Sequence, residues 1–179
     1  DAVVPHRVFD VVSVLDNLYD FGNIAAVMRS AEAMGFGQMH VITRQEKFKT
    51  SPRITKGTDK WLDVHLWRHD PEGCIAYLRE RGYRLVTTHL DESAVDIATI
   101  DFTIPTAIIF GNEHSGVSPD LLEAADVRCV LPMRGFAESF NISVAAALSF
   151  YHILQDRLRR QGQNATLSAE QQEILRAEL

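Results

Sequence analysis

Thr106-Ala107-Ile108-Ile109-Phe110 is apolar along almost its whole length, and it runs directly into Gly111-Asn112-Glu113-His114-Ser115-Gly116. A strand with one face in water alternates polar and apolar residues. A continuously apolar one is covered on both faces, as in a parallel sheet flanked by helices. Outward from this stretch, β-branched runs predict further strands at residues 9–15, 39–43, 64–67, 84–90 and 128–133. Between them lie helical patterns. Residues 23–34 place Ile24, Val27, Met28, Ala31 and Met34 at helical spacing before Gly35, and residues 70–81 repeat the logic before Gly82. A longer helix is predicted over 139–160. Its first half is apolar on most faces, which predicts burial, in part against another subunit. A polar linker at 161–166 leads to a short last helix that Ser168 caps. The fold class is α/β, with a mostly parallel sheet and helices on both faces.

Composition sets the outer limits. The 179 residues carry 46% apolar and 23% charged residues with 10 Gly and 6 Pro, which excludes collagen-like and disordered chains. Cys74 and Cys129 have no C-x-x-C partner or His at ligand spacing, so neither a disulfide framework nor a metal site is expected. No apolar run approaches the roughly 20 residues that span a bilayer, and no signal-like segment precedes the first strand. The expectation is therefore a cytoplasmic protein without a membrane partner, or an organellar one whose transit peptide has been removed. The formal charge is -6, yet six of the 18 basic residues, Arg44, Lys47, Lys49, Arg53, Lys56 and Lys60, fall within 17 positions. From residue 85 to 127 there is no Lys or Arg at all. A local positive stretch in an acidic chain predicts either a solvated loop or a phosphate-contacting one. Arg157, Arg159 and Arg160 would extend such a surface or complement a helix dipole.

The common nucleotide and hydrolase fingerprints are absent: no G-x-G-x-x-G, no G-x-x-x-x-G-K-[ST], no G-x-S-x-G. What remains is concentrated where open α/β sheets hold ligands, at strand ends and helix starts. The first segment is Gly22-Asn23-Ile24-Ala25-Ala26-Val27-Met28-Arg29. The second is Phe110–Gly116, where two glycines bracket polar groups after a buried strand. The third runs from Leu131-Pro132-Met133-Arg134-Gly135 through Glu138-Ser139-Phe140-Asn141-Ile142-Ser143 into the long helix. Each has a plain reading as a capped helix or a turn.

Together, and in this order, the three segments resemble the motifs of the SpoU family of RNA ribose 2′-O-methyltransferases, within the SPOUT superfamily. The resemblance covers most of the chain, and residues 58–61 and 85–90 are similar to the TrmH branch, which methylates a D-loop guanosine in tRNA. It implies a methyltransferase domain over 1–160, with 161–179 as linker and helix, and a C-terminal part threaded into a deep trefoil knot. It also implies a homodimer and S-adenosyl-L-methionine as cofactor. Carried over by position, Asn23, Arg29, Glu113, Ser139 and Asn141 become catalytic candidates. Thr88, Gly111, Leu131, Met133 and Phe140 become cofactor-binding candidates, and the basic stretch Arg44 to Lys60 becomes a candidate RNA contact. An arginine serving as a literal base conflicts with its permanent protonation, so the expected role of Arg29 is to bind phosphate and stabilise a developing alkoxide. The alternatives are a ribosomal RNA substrate, or a non-catalytic RNA-binding protein of the same fold.

Overall fold

The structure, a computed structural model, describes residues 2–45, 61–165 and 167–178. Seven strands form one sheet: β1 (Val11–Asp16), β2 (Gln38–Thr43), β3 (Asp63–Arg68), β4 (Arg84–Thr88), β5 (Val95–Asp96), β6 (Thr106–Phe110) and β7 (Val127–Val130). Their order is β3-β2-β1-β6-β4-β7-β5 and every pairing is parallel. The helices are α1 (Phe21–Ala33), α2 (Pro71–Glu80), α3 (Pro119–Ala124), α4 (Ile142–Gln161) and α5 (Ala169–Glu178).

The strand alternation sorts the core into two layers. Val11, Leu15, Met39, Val41, Ile108 and Phe110 point to α1 and α4, where Val27, Met28, Ala31, Ala146, Phe150 and Ile153 meet them. Val12, Val14, Ile42, Ala107 and Ile109 point the other way, to Cys74 and Leu78 on α2 and Leu121 on α3. Phe150 locks the first layer, its ring centroid 4.9 Å from Phe36 and 5.7 Å from Phe110. None of the described helices is long and apolar enough to cross a membrane.

Two helix starts depart from the sequence expectation for local reasons. Asp20 caps α1, its Oδ1 accepting from the Gly22 N–H at 2.6 Å, so the helix begins two residues early. α4 begins at Ile142 because Asn141 is its cap, accepting from the Ser143 N–H at 2.9 Å. Ser139 and Asn141 therefore stand in the loop and at the cap, not within the first turns. The two-residue β5 and the six-residue α3 were both absent from the sequence reading, being too short for any period to register.

α4 is not buried all round. Ala146, Phe150 and Ile153 face the sheet, while Val144, Leu148, Tyr151 and Leu158 form an exposed apolar stripe on the other side. Its arginines also serve the fold. Arg157 is fully buried, its guanidinium donating to both Asp10 carboxylate oxygens at 2.9 Å and to the carbonyls of Phe102 and Asn164. Arg159 and Arg160 donate to the buried Asp156. The expected extension of the basic surface is thus corrected at Arg157, whose charge never reaches solvent.

One strand in from the β3 edge of the sheet, His40 of β2 is buried, stacked on His65 at 4.8 Å and accepting from Trp67 Nε1 at Nδ1. Burial, with the neighbouring His65, lowers its pKa from 6.5 to about 4.

Two outcomes follow from these buried groups. Arg157→Ala leaves Asp10 and two carbonyls without their donor, and urea unfolding is expected to show a loss of about 3 kcal/mol or more. His40 must be neutral in the folded state and takes up a proton on unfolding. Stability is therefore complete above pH 6.5 and falls toward pH 4, by roughly 1.4 kcal/mol per pH unit for this group. Urea titrations at pH 6.5 and 5 should show that slope in the wild type and a flatter one in His40→Gln.

Candidate active site

Chain order places the strand ends. β1 and β6 are neighbours in register from Val11↔Thr106 to Leu15↔Phe110, although 95 residues separate the two members of each pair, so their C-terminal loops emerge side by side. β4 and β7 continue the row. A cavity of about 490 Å³ opens over the ends of β6, β4 and β7. That volume suits a cofactor-sized ligand.

All five cofactor candidates line it: Thr88, Gly111, Leu131, Met133 and Phe140. So do Glu113, Ser139 and Asn141 among the catalytic candidates. The Thr88 hydroxyl donates to the Ile109 carbonyl at 3.0 Å, so this side chain braces the sheet. Cys129 forms part of the wall, and burial pushes its thiol to about 12, which keeps it protonated and unreactive.

Asn23, from the first turn of α1, reaches this rim. Its Nδ2 donates to Glu113 Oε1 at 2.5 Å, and its Oδ1 accepts from Asn141 Nδ2 at 3.2 Å. One asparagine thus joins three segments that lie 90 and 118 residues apart in sequence. Arg29 is different. It stands exposed further along α1, outside the cavity lining and without a partner among the described residues. Of the basic stretch, Arg44 is exposed just after β2; Lys47, Lys49, Arg53, Lys56 and Lys60 lie outside the described residues.

The glycines of the second segment have a structural cause. A Cβ on Gly111 would collide with the backbone of Gly116 and Val117, and Gly116 has φ 69°, in the left-handed region. The loop folds back on itself, with paired backbone bonds between Asn112 and Gly116 at 2.9 Å. The requirement at Gly111 is close approach of its own chain.

Two residues escaped the sequence reading. Asn112, 4% exposed, holds the loop from inside. Its Oδ1 accepts from the N–H groups of His114 and Ser115, and its Nδ2 donates to the Asn17 carbonyl at 2.8 Å. Asn17 has φ 54°, a conformation that asparagine tolerates better than most residues. Only its position at a strand end could have signalled it. Beside them, buried Asp16 accepts from the Ser118 N–H at 2.6 Å, while burial holds its carboxyl above the usual range.

The chain is similar to known proteins along most of its length. Residues 10–151 match the model of the SpoU rRNA Methylase family. The tRNA (guanosine(18)-2′-O)-methyltransferase of Escherichia coli is 31% identical over 175 residues, covering 93% of this chain and 74% of that one. The crystal structure of the Aquifex aeolicus TrmH/SpoU tRNA modifying enzyme superposes with TM-score 0.86 at 31% identity, over 98% of this chain and 90% of that one. The SpoU methyltransferase AviRb from Streptomyces viridochromogenes, solved with AdoMet, matches at TM-score 0.76 and 26% identity, over 87% and 64%.

Asn112→Ala removes three hydrogen bonds from a buried loop. Urea unfolding should show a loss of about 1–3 kcal/mol, whereas Ser115→Ala at the exposed turn should stay within about 0.5 kcal/mol of wild type.

Proposed function

The chain belongs to the SpoU rRNA Methylase family, and from that membership we propose that it is an S-adenosyl-L-methionine-dependent tRNA guanosine 2′-O-methyltransferase. The observation that carries the reading is the joining of Asn23, Glu113 and Asn141 at the rim of a cavity lined by Gly111, Leu131, Met133 and Phe140.

The cavity fits the cofactor chemically. Leu90, Leu131, Phe140 and Ile142 give apolar walls for an adenine ring, the irregular backbone after Val130 presents free N–H and C=O groups, and Glu113 and Glu138 set negative charge near a sulfonium. When bound, the cofactor supplies the methyl group that a ribose 2′-oxygen takes in line. The oxygen must also lose a proton, and its acidity rises steeply as the new bond forms, so a weak base suffices. Asn23 and Asn141 cannot take up a proton at neutral pH. Glu113 is the carboxylate at the rim: Asn23 fixes its Oε1 and leaves Oε2 to accept from the hydroxyl as the new bond forms. Asn141 is held in turn by Asn23 and orients the ribose with Ser139, whose hydroxyl both donates and accepts. Arg29, exposed and unpaired, takes the phosphate beside the target ribose. The stripe Val144, Leu148, Tyr151 and Leu158 supports a homodimer packed through α4.

The test is methyl transfer from labelled S-adenosyl-L-methionine to unmodified tRNA transcripts and, in parallel, to ribosomal RNA fragments. Transfer to tRNA is expected. Glu113→Gln should lower kcat at least about a hundredfold with cofactor affinity within about threefold. Arg29→Ala should abolish transfer, and Arg29→Lys should not restore it. Transfer confined to ribosomal RNA would overturn the tRNA assignment.

A further inference from the structure

Tyr19 lies on the short loop between β1 and α1, with its side chain 54% exposed. Its ring touches no other aromatic ring among the described residues, and it does not line the cofactor cavity. An exposed aromatic on a loose loop would mean little. This one is held. Asn17 Nδ2 donates to the Tyr19 hydroxyl at 3.2 Å, and Asn17 is itself fixed on three further sides. Its N–H donates to the Ile42 carbonyl at 2.8 Å, its carbonyl accepts from buried Asn112, and its Oδ1 accepts from the Arg44 N–H.

The loop is pinned at its far end as well. Asp20 caps α1 and accepts from the N–H groups of Gly22 and Asn23, which also offsets its charge against the helix N-terminus. Tyr19 therefore sits between Asn17, joined to the loop that carries Glu113, and Asn23, joined to Glu113 itself. On the same side begins the basic stretch, at Arg44. A flat apolar ring close to an exposed arginine, Arg44, and to the rim proposed to face the ribose has the properties of a nucleobase platform.

We propose that the Tyr19 ring is a stacking surface for a base of the substrate RNA next to the methylated ribose, with Asn17 as the residue that positions it. The assignment rests on the RNA methyltransferase reading above. Every base has a π face, so the platform adds affinity and ribose alignment without choosing a sequence. The hydroxyl serves only as the anchor.

The experiment is fluorescence anisotropy with a labelled unmodified tRNA transcript, run with cofactor affinity and methyl transfer on the same preparations. Tyr19→Ala should weaken RNA binding about tenfold or more, leaving the affinity for S-adenosyl-L-methionine and the thermal midpoint unchanged. Tyr19→Phe keeps the ring but loses its anchor to Asn17, so it should weaken RNA binding less than Tyr19→Ala and by about as much as Asn17→Gly. Asn17→Gly, which tolerates the positive φ, should weaken RNA binding in the wild-type background and have a smaller effect in the Tyr19→Ala background. Equal RNA affinity of wild type and Tyr19→Ala overturns the platform; a full Asn17→Gly effect without the ring overturns the positioning role. A wild type that binds RNA yet transfers no methyl group overturns the methyltransferase reading instead, while the affinity difference still decides the platform.

Discussion

The parallel pairing of β1 with β6 is the constraint on which the rest of the molecule depends. Both strands are buried along their paired length, so each must exchange its backbone hydrogen bonds with its neighbour, and the apolar sequence fixes which faces meet the helices. Once Val11–Asp16 and Thr106–Phe110 lie in register, the loops that follow them have no choice of neighbour. Asn17 meets Asn112, Asp16 meets Ser118, and Asn23 meets Glu113. The site is the consequence of a sheet whose central strands come from opposite halves of the chain.

Charge is distributed with the same economy. Arg157 and Asp156 lie inside the structure, each surrounded by hydrogen-bonding partners, and they tie the end of α4 to Asp10 and Phe102. Three arginines at the end of one helix thus brace the architecture, while Arg29 and Arg44 stay exposed and all four lysines fall between positions 47 and 60 of the sequence. This accounts for an RNA-directed protein with an acidic net charge of -6. Affinity for polyanions depends on where the cations stand, and a sum over the whole chain obscures it.

The fold was legible from the apolar runs because burial on both faces leaves a strand no freedom to alternate. The site was legible as three segments, and all five cofactor candidates line one cavity while Asn23, Glu113 and Asn141 form one network. Arg29 was matched to the same group, yet it stands apart from it among the described residues. Asn17 and Asn112 were illegible for a different reason. Their work is done through backbone carbonyls and N–H groups brought together by the sheet, and no residue pattern along the chain reports a contact 95 residues away. Gly111 lines the cavity, and its missing side chain also admits the backbone of Gly116 and Val117, a close approach that only the folded loop reveals.

The central claim is that the ends of β6, β4 and β7 enclose the cofactor while the end of β1 brings the ribose-facing groups to it. A crystal structure of the full chain with S-adenosyl-L-homocysteine tests it most directly. The account predicts the ligand between Gly111, Leu131, Met133 and Phe140, its sulfur turned toward the Asn23–Glu113–Asn141 rim. Density for the ligand in any other place, or in this cavity with its sulfur turned away from that rim, would contradict it.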